Sequence, residues 1–143
     1  MANDELYTPK WIFDSLGVQF DLDVCAPVQG PLHTPAKSWY SELDDGLSKD
    51  WFGRVWMNPP YSKPSPWIKK WLSHRNGFAL VPAAKSQWFI DLWESEAVGL
   101  PLRVNMKFLK QDKPFSIYFL STLWAIGETN ITALKVSNLG RIR

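Results

Sequence analysis

Residues 54–61, Arg54-Val55-Trp56-Met57-Asn58-Pro59-Pro60-Tyr61, join a short apolar run to two consecutive prolines. The run has the length and character of a strand. The prolines, which lack a backbone N–H, must end sheet pairing at Asn58. Working outward, Gln19 to Val24 alternates polar and apolar residues, a second strand signature. Before it, Thr8 to Gly17 reads as a helix, with Thr8 as N-cap, Pro9 at the first helical position and Gly17 as the stop. After the prolines, Pro66 opens a helix to about Ser73 with Trp67, Ile68 and Trp71 on one face. Gly77 to Val81 reads as a buried strand and Gln87 to Glu96 as a helix. Leu102 to Leu109, Phe115 to Ile126 and Ile131 to Val136 read as further strands. Strands alternating with helices predict an α/β sheet in one domain over residues 1–143, β-rich in its last third.

The stretch from Ala26 to Lys49 is rich in Pro, Gly, Ser and Asp. It is expected to be a loop with at most one short element, around Lys37 to Tyr40. A loop that long in a compact domain is usually functional. An apolar fraction of 45% and a mean hydropathy of -0.21 describe an ordinary globular chain. Nine tryptophans are unusual for 143 residues, and many are expected in the core. A formal charge of +2 permits nucleic-acid binding without arguing for it. The single cysteine, Cys25, excludes an internal disulfide and, with two histidines, a Cys-based zinc site. The first residues lack the apolar core of a signal peptide, and no run approaches the ~18 apolar residues of a membrane span. A cytoplasmic protein is expected.

Asn-Pro-Pro-Tyr at a strand end carries a specific chemistry. An amine on an aromatic ring is a poor nucleophile because its lone pair is delocalised. Two hydrogen-bond acceptors on its two N–H groups draw the nitrogen toward tetrahedral geometry. The Asn58 side-chain carbonyl supplies one and the Pro59 backbone carbonyl the other. Pro59 and Pro60 hold both in one shape, so the acceptors act by orientation and by electrostatic fit to the transition state. Tyr61 offers a ring on which an extruded base stacks. The same tetrapeptide is also a common rigid turn.

The chain resembles the phage-type DNA N6-adenine methyltransferase (Dam) family. The matching residues are Thr8-Pro9-x-Trp11 with Phe13-Asp14, Leu22-Asp23-Val24-x-Ala26, Asp45-Gly46-Leu47-x-x-Asp50-Trp51 and Val55-Trp56-x-Asn58-Pro59-Pro60-Tyr61. They continue with Ala79-Leu80-Val81-Pro82, Trp88-Phe89, Met106-Lys107-Phe108 and Pro114-Phe115-Ser116. The loop alone is shared by several amino-methylating families; the Asp-Gly-Leu to Asn-Pro-Pro-Tyr series is narrower. The resemblance implies a Rossmann-like S-adenosylmethionine-dependent methyltransferase sheet, compact and without a separate target-recognition domain. It implies S-adenosylmethionine at the strand ends, with Asp23, Ala26, Thr8 and Pro9 at its methionine part and Asn58 beside it. Asp50 and Trp51 suit its adenine end, with Asp45 competing for that role or for the ribose. Thr8-Pro9 is equally a good helix start, and Asp45-Gly46 an ordinary turn. The glycine-rich turn usual in such enzymes is replaced by Cys25-Ala26-Pro27, as in the family resembled.

The expected activity is methyl transfer to the N6 amino group of adenine in double-stranded DNA, in a GATC context if the family name is followed. Direct in-line transfer is expected, without a metal and without a covalent intermediate. Lys63, Lys69, Lys70, His74 and Arg75 follow the loop and, with Arg141 and Arg143, are candidates for phosphate contacts; each is also an ordinary surface charge. Base readout then falls to residues 26–49, to Ser62–Pro66, to a partner or to a second copy of the chain in a homodimer. Cytosine N4, RNA adenine or a protein amide remain alternative acceptors, and a non-catalytic DNA-binding protein is the alternative outside enzymology.

Overall fold

The computed structural model of the protein describes residues 8–102, 108–110, 113–115 and 119–142. Its helices are α1 (Lys10–Leu16), α2 (Ser65–His74), α3 (Gln87–Glu94) and α4 (Glu128–Val136). Its strands are β1 (Phe20–Asp23), β2 (Ala36–Trp39), β3 (Val55–Met57), β4 (Gly77–Pro82), β5 (Val98–Pro101), β6 (Phe108–Lys110), β7 (Lys113–Phe115) and β8 (Ser121–Ile126). Six strands form one sheet in the order β2-β1-β3-β4-β8-β5, and β6 pairs with β7 separately. The first four strands are parallel to one another, while β8 runs antiparallel to both β4 and β5. From β1 the chain passes to β2 on one side and returns to β3 on the other. The strand order therefore reverses between β1 and β3, the place where open α/β sheets leave a crevice beyond their carboxyl ends.

Alternation along the strands divides the core. Phe20, Trp56, Phe78, Leu80 and Leu123 pack with Ile12, Phe13 and Leu16 of α1 and Leu134 of α4. Leu22, Val55, Met57, Ala79 and Val81 pack on the other face with Trp67, Ile68 and Trp71 of α2 and Leu92 of α3. Both faces are thus covered, as parallel strands require. Four tryptophans, Trp56, Trp67, Trp71 and Trp124, are buried, whereas Trp11, Trp39 and Trp93 are exposed. Among the described residues, no helix is long and apolar enough to cross a membrane.

Several sequence expectations need correction. Thr8 does not cap α1: Pro9 occupies the cap position without a side-chain bond, and Thr8 is buried. Gly17 does stop the helix, in the left-handed region at φ 64° with its N–H on Phe13 O at 3.0 Å. Residues 131–136 are helical, not a strand. Asn130 and Leu134, one turn apart, are both buried, and Gly127 at φ 97° turns the chain out of β8. Asn130 also donates to Asn76 Oδ1 at 2.7 Å and accepts from Arg54 Nε at 2.7 Å, which ties α4 to the sheet's amino edge. The strand expected over 102–109 falls partly on residues 103–107, outside the described residues, and β5 precedes it. Gly99 and Pro101 disguise β5 in the sequence. Gly99 is needed because a Cβ there would sit 2.5 Å from the Trp124 ring, and Pro101 is tolerated on an edge strand. The strand expected over 115–126 resolves into the end of β7 and β8, with residues 116–118 outside the described residues.

Candidate active site

β1 and β3 pair so that Asp23 lies opposite Trp56, two residues before Asn58. Val24 N–H continues the ladder to Trp56 O at 3.1 Å. The carboxyl ends of the two strands therefore open side by side into a cleft. Its walls include Thr8, Asp23, Cys25, Trp56 and Asn58, and Pro27 with residues 31–34 of the β1–β2 connection closes the other side. The long connection read as functional thus supplies one wall, with His33 and Thr34 in it. Sequence reading did not single out those two residues, because no spacing marks them.

Asp23 is only 3% exposed. Burial pushes its carboxyl up from 3.8 to about 7, and the hydrogen bond from Cys25 N–H, at 3.2 Å, offsets part of that rise. A buried carboxyl with so little compensation is costly to ionise, and such groups mark functional clefts. Among the described residues, no group of three or more His, Cys, Asp or Glu could hold a metal.

The loop beyond Asn58 is stiff. Pro59 is buried, and Lys63 N–H returns to Pro60 O at 3.3 Å before α2 begins. The Tyr61 ring meets Phe119 edge-on, at 5.3 Å between centroids and 85° between planes. Phe119 precedes β8, whose first residue, Ser121, pairs with Pro82 at the end of β4. Tyr61, residues 83–86 and Phe119 consequently share the edge of the sheet at which the cleft opens. Lys85 lies exposed on that edge, as Lys63 does. Sequence reading passed over Lys85; its position directly after a strand end was the available signal.

Other candidate residues stand elsewhere. Pro9 is buried at the start of α1, and Ala26 donates its N–H to Tyr40 O at 2.7 Å. Asp45, Asp50 and Trp51 are not among the cleft's walls. The Trp51 indole stacks on Trp67 at 6.3 Å and donates to Gly46 O at 2.9 Å. Lys70 donates to Leu47 O at 2.8 Å and to Lys49 O. Arg75 follows α2 at the opposite edge of the sheet and is paired with Glu96 at 2.6 Å. His74 bonds Gly53 O at 2.7 Å. Lys69 is exposed on α2.

A family model described as DNA N-6-adenine-methyltransferase (Dam) matches residues 1–112. The chain is 38% identical over 71 residues to a DNA N-6-adenine-methyltransferase of Haemophilus phage HP1, covering 46% of this chain and 39% of that protein. It is 33% identical over 87 residues to a protein of the same name from Escherichia phage T1, covering 55% of this chain and 35% of that one. The match thus spans less than half the length of either relative. No solved structure matches the chain.

Proposed function

This chain belongs to the DNA N-6-adenine-methyltransferase (Dam) family, and from that premise we propose that it methylates the N6 amino group of adenine in double-stranded DNA, using S-adenosylmethionine. The observation that carries this reading is the single cleft that joins Asp23 to Asn58. The parallel core β2-β1-β3-β4, with its order reversal at the cleft, supports a Rossmann-like assignment. A buried carboxyl whose one hydrogen bond among the described residues comes from Cys25 fits the ammonium group of the cofactor's methionine part. Thr8, in the same wall, offers a hydroxyl beside it.

When bound, the cofactor supplies an electrophilic methyl group on its sulfonium. The chain's own residues prepare the acceptor. Asn58 Oδ1 and Pro59 O accept from the two N–H bonds of the target amine and orient its lone pair into the cleft. Pro59 and Pro60 fix that geometry before substrate arrives, so no reorganisation is needed during transfer. Tyr61, braced edge-on by Phe119, holds the plane of the extruded base. The enzyme would act in the cytoplasm of the host cell.

Phosphate contacts are assigned to Lys63, Lys69 and Lys85. Lys70 and Arg75 are left out because carbonyl groups and Glu96 already engage them. Lys63→Ala and Lys85→Ala should each weaken binding to a short duplex and lower the slope of log affinity against log salt by about 0.9. Arg75→Ala should leave that slope unchanged. Equal slopes in all three would remove these lysines from the interface.

The function itself is tested by incubating the protein with labelled S-adenosylmethionine and unmethylated DNA, then separating the nucleosides. Label in N6-methyladenine is the expected result. Label in N4-methylcytosine instead, or no label in DNA when parallel incubations with RNA or protein are labelled, would replace the acceptor.

A further inference from the structure

Residues 40–51 stay out of the cleft walls, yet they grip its floor. Tyr40 N–H donates to Asp23 O at 2.9 Å and Tyr40 O accepts from Ala26 N–H at 2.7 Å, so this one residue brackets the turn that carries Asp23. Its phenol donates to Asp50 O at 2.8 Å. Gly46 packs directly on Val24 O, so that any Cβ would collide with that oxygen and lie 3.2 Å from the Trp67 ring. Val24 is therefore held at its N–H by Trp56 O, while its carbonyl packs against Gly46. The segment is in turn fastened to α2: Trp51 stacks on Trp67, and Lys70 bonds two of its carbonyls while lying 5.1 Å from the Trp51 ring centroid. Helix α2 begins at Ser65, four residues after Tyr61 of the Asn58–Tyr61 loop.

We propose that residues 45–51, acting through Tyr40, are a clamp that registers the Asp23 turn against the catalytic loop, and that Asp45, Asp50 and Trp51 do not touch the cofactor. Tyr40, Gly46 and Lys70 are then positioning residues. The proposal rests on the reading of the cleft as the cofactor site. Its physical sense is that both halves of the site hang on one helix. The loop leads into α2, and the turn is tied to α2 through Tyr40, Gly46 and Trp51. Errors of about 1 Å in such an alignment cost as much as 10²-fold in rate or affinity.

Backbone and side-chain variants separate a clamp from a contact surface. Tyr40→Phe removes only the hydroxyl that reaches Asp50 O. It should raise the dissociation constant for S-adenosylhomocysteine, and the KM for S-adenosylmethionine, by about 5- to 10-fold, the worth of one hydrogen bond. kcat at saturating cofactor and the KM for DNA should stay within twofold. Lys70→Met should weaken the same ligand similarly, and Lys70→Arg should restore part of the loss. Asp45→Asn and Asp50→Ala keep the backbone carbonyls and should leave cofactor affinity within twofold. Tenfold losses in the two carboxylate variants, with Tyr40→Phe unaffected, would overturn the proposal and make residues 45–51 a contact surface. If the unaltered chain binds no S-adenosylhomocysteine, the reading of the cleft fails first and the clamp with it.

Discussion

Asn58→Ala is expected to lower kcat for methyl transfer by about 10²- to 10³-fold, the cost of deleting one preorganised transition-state partner. S-adenosylhomocysteine should still bind within a few-fold of its normal affinity. The expectation follows from the role proposed for the side chain. Its carbonyl accepts from an amine only while that amine is being reshaped, so the loss appears in the chemical step and not in ground-state binding. Pro59 O stays in place and holds one N–H, which is why the variant is not expected to be dead. Asn58→Asp keeps an acceptor oxygen at the same distance and should retain more activity than Asn58→Ala. A steady-state assay with saturating cofactor and DNA reads both. Undiminished turnover in Asn58→Ala would remove the loop from the chemistry.

Asp23→Asn should separate stability from function. Burial holds the folded carboxyl at about 7 against 3.8 for the free group. A folded-state value raised above the unfolded one means that the stabilising contribution is complete below about pH 4 and is lost as pH rises through about 7. The cost of carrying this carboxylate at pH 8 is therefore about 4 kcal/mol, an order-of-magnitude figure for a fully buried group. Asn mimics the protonated form, so Asp23→Asn should melt at a higher temperature than the unaltered chain at pH 8 and at nearly the same temperature at pH 4. Cofactor binding should move the other way. A ligand ammonium selects the ionised carboxyl, so below its titration point each binding event displaces one proton. The affinity of S-adenosylhomocysteine should then rise about tenfold per pH unit from 5 to 7 and level off above. In Asp23→Asn the affinity should be low and flat over that range. A flat profile in the unaltered chain would mean that Asp23 faces no cation.

Much of this was legible in the sequence because it is local. The strand into two prolines, the alternation in 19–24 and the α2 face of Trp67, Ile68 and Trp71 each follow from a period or a missing N–H. They place β1, β3 and the loop. What was not legible depends on long-range pairing. Thr8 reads equally as a helix cap and as a cleft residue, and only the packed structure shows that it lines the cleft while Pro9 takes the cap position. Ile131 to Val136 reads as a strand, yet the break at Gly127, the polar network around Asn130 and the burial of Leu134 one turn on make it a helix. Asp50 and Trp51 look like ligand-binding residues in a narrow motif. Their surroundings, Trp67, Lys70 and Tyr40, lie 10 to 20 positions away and could not be assembled from spacing. Lys85 becomes a rim residue only once β4 is known to lie beside β3.

A crystal structure of the protein with S-adenosylhomocysteine bound tests the joining of Asp23 and Asn58 in one cofactor site most directly. The ligand is expected in the cleft between β1 and β3, its amino group on the Asp23 carboxyl and its sulfur facing Asn58. A ligand seated instead against Asp45 and Asp50, with the space between Asp23 and Asn58 filled by water, would contradict it.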